Sequence, residues 1–347
     1  MSAPAVARPR TAPVNRAVPV NPRAVMVSGA LLVLTLALAV LTITIGELGI
    51  AVADLPAVLA HQGSRAQEWV LYSNRLPRLL VAVGAGAAFA VPGAIFQSVT
   101  RNPLGSPDVI GLGAGSAAGA AAAALVWPGV VPVPIGALVG GVVAAAAVLL
   151  GSGRGLRAPY RMVVVGIAVG AMAMAFVQFV LARTTQQEAV QLAAWLSGSL
   201  QSRQWGDVVT IGVALAVLLP AALALTRRLQ IVEMGDDAAT GLGVSPGWTR
   251  GLAIMVGVAL TAAAVSVAGP VAFVALTAPQ IARRLTGSSG PGMVAAACMG
   301  TTVLVAADLF AQHAPWGAQY PVGVLTAGLG GVYLAYLLVG EWKKGTV

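Results

Sequence analysis

Residues 79–127 read LLVAVGAGAAFAVPGAIFQSVTRNPLGSPDVIGLGAGSAAGAAAAALVW. Two almost wholly apolar runs enclose a polar break, RNPLGSPD, from Arg101 to Asp108. A helix needs about 20 apolar residues to cross the hydrocarbon core of a bilayer. Within the break, Pro103 and Pro107 lack amide hydrogens and hold Asn102 and Ser106 extended. The stretch therefore predicts a spanning helix, a stiff polar turn and a second spanning helix. Asp108 stands at the start of that second helix, where a carboxylate can cap exposed amides.

The rest of the 347-residue chain repeats this pattern. Hydrophobic residues make up 58% and charged residues 9%, against about 45–50% and about 25% in soluble domains. The mean hydropathy is +0.87. So little charge cannot cover a water-facing surface, and the fold class is an all-α polytopic membrane protein. Apolar runs separated by charge, proline and glycine give ten spans: 25–45, 76–98, 108–127, 132–151, 161–182, 207–226, 250–269, 271–286, 292–311 and 322–341. The eighth is the shortest and contains Pro279. Residues 1–24, proline-rich and basic without apolar periodicity, read as a disordered cytoplasmic tail. Residues 25–347 read as a single transmembrane domain.

Ten spans place both termini on one side. Fifteen of the 20 basic residues then fall on that side and five on the other: Arg65, Arg75, Arg78, Arg183 and Arg203. Basic residues collect on the cytoplasmic side, so both termini are expected there. The net charge of +9 is thereby accounted for without nucleic acid. Small residues recur at four-residue spacing at Gly111, Gly115 and Gly119, at Gly136 and Gly140, and at Gly166 and Gly170. This spacing allows close helix packing in lipid. Asp308 is an acid well inside a span, where either a functional role or a hydrogen bond to another helix is expected. The single cysteine, Cys298, rules out an intramolecular disulfide or a multi-cysteine metal site.

Several chemistries are missing. The only lysines, Lys343 and Lys344, do not follow a glycine-rich loop, so no P-loop is present. Both histidines, His61 and His313, fall outside the spans. No constellation supports an enzyme, and no cofactor is expected on this chain. Uphill transport would need a partner to supply energy. The longest loop on the cytoplasmic side, 227–250, is where such a partner would dock. Within it VEMGDDAATGLG reads as a short helix, with Glu233, Asp236 and Asp237 near its positive end. Ala238, Ala239 and Leu242 form its apolar face, and Gly243 ends it.

Four segments resemble the FecCD family of permeases, in the family's order. They are RLPRLLVAVGAGAAFAVPGAIFQSVTRNPLGSPDVIG (75–111), EMGDDAATGLGV (233–244), AGPVAFVALTAPQIARRLTG (268–287), and AADLFAQ with YPVGVLTAGLGGVYLAYLL (306–338). The resemblance implies the ten-helix permease fold of type II ABC importers for iron-siderophore complexes, haem or cobalamin. The details are most similar to the ferric-siderophore permeases, with a catecholate-type cargo. It also implies a second FecCD-type permease, different or identical, two copies of an ABC ATPase that carry ATP and magnesium, and a substrate-binding protein in a bacterial inner membrane.

By the same resemblance, Arg75 and Arg78 of RLPR would dock acidic residues of the binding protein. Glu233, Gly235, Asp236, Asp237, Leu242 and Gly243 would couple to the ATPase. Arg101, Asn102, Pro103, Gly105 and Pro107 form the family's cytoplasmic turn, expected to brace the coupling surface. Pro159 and Tyr160 mark a candidate gate. Two departures stand out. Gln280 replaces a histidine found in many members, and Gln312 replaces an arginine found in some. A proton-coupled carrier is the alternative of another class, and it would need no ATPase.

Overall fold

The computed structural model describes residues 21–46, 49–153, 159–314 and 320–343. Most of the expected tail, together with Arg154, Arg157 and Lys344, lies outside them. All regular structure among the described residues is helical. The chain opens with α1 (Pro22–Thr44), then short α2 (Leu55–Leu59) and α3 (Arg65–Val70). A wide π turn, Leu71–Arg75, leads straight into α4 (Leu76–Thr100). Pro77 has no amide to give to the turn before it, and the widened turn absorbs that loss. A 3-10 turn, Pro107–Ile110, precedes α5 (Leu112–Ala121), which ends in a second π turn, Ala122–Val126. The remainder is α6 (Val133–Gly151), α7 (Pro159–Leu181), α8 (Gln186–Leu196), α9 (Trp205–Glu233), α10 (Asp236–Gly241), α11 (Pro246–Ala268), α12 (Val274–Thr286), α13 (Met293–Gln312) and α14 (Val322–Lys343).

Helix lies on every expected span, but the dimensions differ. Among the described residues seven helices are long and apolar enough to cross a membrane. Leu112–Val126 and Val322–Tyr336 are shorter apolar helices. The eighth expected span shrinks to α12, which has 13 residues and so a length of roughly 20 Å. Dimensions alone therefore give seven crossings rather than ten.

Other boundaries also move. Asn21 accepts a hydrogen bond from the Arg23 amide at 3.0 Å, and Pro22 opens α1, so the helix begins inside the expected tail. α9 continues to Glu233 and absorbs the first residues of the expected loop 227–250. Asp108 caps neither the 3-10 turn nor α5 by a side-chain hydrogen bond. Its carboxylate instead lies over the first turn of α5, where a Cβ on Gly113 would meet Oδ1 at 3.0 Å.

α4 is the central rod, buried along most of its length and packed by α9, α11, α12 and α13. Small residues make this possible. A Cβ on Gly86 would lie 2.5 Å from the Gly300 carbonyl, and one on Gly300 would lie 2.3 Å from the Gly86 carbonyl. α5 and α6 cross in the same way, with Gly115 against Gly140 and Gly119 against Gly136. Both pairs belong to the four-residue series read from the sequence. Hydroxyls add bonds between helices, which lipid cannot replace. Thr35 and Thr302 join α1 to α13 at 2.8 Å, and Thr301 donates to the Val83 carbonyl at 3.0 Å.

Candidate functional sites at the two ends of α4

α4 is 25 residues long, about 37 Å, and each end carries an arginine cluster. At the C-terminal end the chain leaves the helix through Arg101, held in the left-handed region at φ 50°. Asn102 Oδ1 accepts from the Leu104 amide at 2.8 Å, and the Gly105 amide donates to the Asn102 carbonyl at 2.9 Å. Gly105 sits tight against Thr100, whose Oγ1 would be 2.4 Å from an added Cβ. Pro107 then starts the 3-10 turn. The turn is anchored from α12, because Gln280 Nε2 donates to the Pro103 carbonyl at 2.5 Å. Beside it Gln97 Nε2 donates to the Leu276 carbonyl at 2.9 Å. Gln280 thus has a defined structural task in this chain.

The Arg101 guanidinium reaches out of the turn to the loop between α9 and α11. Its Nη2 donates to the Val232 carbonyl at 2.6 Å and to Asp236 Oδ1 at 2.8 Å. Arg250 in the first turns of α11 grips the same carboxylate, Nη1 to Oδ2 at 2.8 Å and Nη2 to Oδ1 at 2.7 Å. Arg250 is buried, whereas Asp236 is about half exposed. The hydrogen-bonding Arg250 guanidinium, with Arg101 adding to it, holds the Asp236 carboxyl below the usual carboxylate range. One carboxylate therefore fastens three elements: the turn after α4, the start of α10 and the start of α11.

The short helix differs in detail from its sequence reading. It spans Asp236–Gly241, and Glu233 is the last residue of α9. Gly235 links them at φ 125°, in a region that L side chains rarely adopt. Ala239 faces the interior, while Leu242 faces out, so the two do not share a face. Gly243 closes the segment at φ 77°. Met234, Leu242 and Trp248 are exposed beside a groove lined by Asp236, Thr240 and Pro246. Asp237 is exposed. Sequence reasoning missed Arg250 and Arg101 as its partners, since neither lies near Asp236 at helical spacing.

At the N-terminal end of α4, Arg78 makes a forked pair with Asp308 of α13. Nη2 donates to Oδ1 at 2.8 Å and Nε to Oδ2 at 3.0 Å. Both side chains are nearly out of solvent. Gln312 Nε2 donates to Asp308 Oδ2 at 2.7 Å. The intramembrane acid thus has a structural partner, one of the two roles expected for it. Arg75 donates to the Ile43 carbonyl. Both arginines line an open pocket with Trp69, Gln201, Arg203 and His313. Pro159 and Tyr160 open α7, and Ala158 before them lies outside the described residues.

The comparisons with known proteins bear on both ends. The model of the FecCD transport family matches residues 32–340, which include every helix between α2 and α13 and both clusters. This chain belongs to the FecCD transport family. The ferric enterobactin transport system permease protein FepG of Escherichia coli K12 is 42% identical over 289 residues, covering 83% of this chain and 88% of that protein. The Fe(3+)-citrate import system permease protein YfmE of Bacillus subtilis is 36% identical, covering 80% and 84%. The Fe(3+) dicitrate permease FecD of E. coli K12 is 36% identical, covering 80% and 87%. Among solved structures, an inward-facing metal-chelate type ABC transporter superposes with a TM-score of 0.81 at 25% identity, covering 91% of this chain and 99% of that one. Among the described residues, the all-helical architecture of this FecCD member matches that solved transporter.

Proposed function

We propose that this chain is a permease subunit of an ATP-driven ferric-siderophore importer, with a catecholate-type cargo, working by alternating access. The observation that carries it is the 42% identity to a ferric enterobactin permease over most of both chains. The other relatives named above handle ferric citrate, which favours an iron chelate over cobalamin or haem. No observation favours a proton-coupled carrier.

In this reading the subunit has the ten crossings of a type II importer permease, with α12 completing its crossing by the non-helical segment before it. It lies in a bacterial inner membrane with both termini in the cytoplasm. It pairs with a second FecCD-type permease, and two ABC ATPases bind ATP and magnesium. The end bearing Arg101 faces the ATPases. There Asp237, Leu242 and the exposed residues around Gly235 and Gly243 meet the motor, with Glu233 behind them. Asp236 holds the helix at its angle through Arg101 and Arg250, so the RNPLGSP turn acts as a brace. The end bearing Arg75 and Arg78 faces outward, toward the substrate-binding protein. Arg75 fits a docking contact, and Arg78 serves that end by holding α4 to α13. Pro159 and Tyr160, at the inner end of α7, remain the candidate gate.

The test is a cysteine placed at Leu242 or Asp237 in the assembled transporter. Crosslinking of L242C or D237C to the ATPase, with turnover shifting the yield, is the expected result. An assembled complex in which both cysteines react with a membrane-impermeant reagent from the outside contradicts the reading.

A further inference from the structure

The end of the bundle that carries Arg101 holds a second group of arginines, set apart from the loop between α9 and α11. We propose that the junction of α1 and α12 is a site for an anionic phospholipid, whose phosphate is held by Arg23 and Arg284. The site goes beyond the importer reading and requires only that the chain spans a bilayer.

Two long-range bonds build the junction. Arg23 Nε donates to the Leu285 carbonyl at 2.7 Å, and Asn21 Nδ2 donates to the Thr286 carbonyl at 3.3 Å. α1 thus brings Arg23 to a helix end that already carries Arg283 and Arg284. The Arg23 guanidinium lies against Gly287, where an added Cβ would be 3.6 Å from Nη1. The Leu285 carbonyl is neutral, so it fixes Arg23 without cancelling its charge. No carboxylate pairs with any of the three arginines among the described residues. The C-terminus of a helix offers only about half a negative charge, against three guanidiniums. Arg283 adds to the imbalance. Its Nε and Nη2, the edge by which Arg78 grips Asp308, are out of solvent and have no hydrogen-bond partner among the described residues. An unpaired buried charge is costly, and an anion held close by lowers that cost.

Phosphate oxygens match guanidinium donors. Arg23 and Arg284 are both exposed, and the exposed Ser289 follows with a hydroxyl that can also donate. The case for a lipid comes from α1. Of the seven long apolar helices among the described residues, it is the least buried. Val25 and Met26 are exposed, Met26 at 71%, and Leu32, Val33 and Leu36 continue the exposed apolar surface along the helix. Apolar side chains that begin two residues from Arg23 suit acyl chains and would not suit a water-soluble partner. Basic residues between helices at the membrane surface are how anionic headgroups are recognised.

The test titrates the full chain in neutral detergent with dioleoyl phosphatidylglycerol and, separately, with dioleoyl phosphatidylcholine, and counts retained lipid by native mass spectrometry. Tighter binding of phosphatidylglycerol, weakened by salt, is the expected result. Arg284→Gln should weaken it about fivefold, the factor given by about 1 kcal/mol per basic residue near an anionic surface. Arg23→Gln should weaken it at least as much, and Arg183→Gln, at the opposite end of the bundle, should bind like wild type. Arg23→Gln also cuts the α1–α12 bond, so its melting temperature is measured alongside, and Arg284→Gln decides the matter where Arg23→Gln is unstable. Equal retention of the two lipids overturns the inference, as does wild-type binding by Arg284→Gln or by a folded Arg23→Gln. Displacement of phosphatidylglycerol by equimolar glycerol 3-phosphate also overturns it, by assigning the arginines to a soluble phosphate. Loss of ATPase assembly in Arg284→Gln with lipid binding intact overturns it as well, by assigning them to a protein surface.

Discussion

Arg101 and Asp236 are 135 residues apart in sequence, yet their side chains meet at 2.8 Å. The contact joins the polar turn after the central helix to the first residue of a six-residue helix at the same end of the bundle. Arg250 closes on the same carboxylate from a third element. A force applied to α10 therefore passes directly to α4 and α11.

Replacing Asp236 by Asn should loosen this junction. The carboxylate is 44% exposed, so solvent screens part of its effect, and the cost should be about 1–2 kcal/mol. In the assembled transporter ATP hydrolysis should continue while uptake per ATP falls. Uptake per ATP equal to wild type would contradict the role given to Asp236.

The same carboxyl sets a pH dependence. Its folded pKa is depressed, so its contribution is fully present above the ordinary value of about 3.9. The contribution disappears as pH falls through the lower folded value. The melting-temperature gap between wild type and D236N should be constant from neutral pH to about pH 5 and close only in stronger acid. A gap that closes near neutrality would show that another group controls the junction.

Gly235 should tolerate no side chain. Nothing lies within 4 Å of an added Cβ, but the backbone sits at φ 125°. The penalty of G235A is therefore conformational, about 1–3 kcal/mol, and should appear as loss of coupling with normal membrane insertion. Proteolysis at the α9–α10 junction would report the change.

Gly93 is sensitive for the opposite reason. A Cβ there would lie 1.8 Å from the Ala275 carbonyl, forcing α12 away from α4. G93A should destabilise by about 1–3 kcal/mol or more, as overpacking does. Thermal unfolding in detergent measures it, and a neutral G93A would show that α12 is not tightly seated.

At the other end, removing one partner of the Arg78–Asp308 pair should cost about 3–5 kcal/mol. Replacing both, as in R78Q with D308N, should cost less than the sum of the single changes. A double-mutant cycle of unfolding temperatures reads this coupling, and additive effects would mean the pair contributes nothing as a pair.

Much of this was legible in the sequence. The apolar runs located helix on every span, because length and hydropathy act locally. Four-residue glycine spacing marked Gly115, Gly119, Gly136 and Gly140 as close-packing positions, since the period repeats within one helix, but not that α5 and α6 are the pair that cross there. The Gly86–Gly300 and Gly93–Ala275 contacts were not legible, because single small residues on distant helices carry no periodic signal. The same applies to Arg101, Asp236 and Arg250. Each charge was visible, but their convergence depends on a turn geometry set by tertiary packing. Loop 227–250 was drawn too long because Arg227 and Arg228 read as the end of a span. In the structure α9 carries those charges onward as helix to Glu233.

The most direct measurement reconstitutes this chain in proteoliposomes with its partner permease, ATPase and binding protein, and follows uptake of a ferric catecholate siderophore. Accumulation against a gradient that requires ATP and stops when the ATPase is omitted is the expected result. Accumulation by the permease alone, driven by a proton gradient without nucleotide, would contradict it.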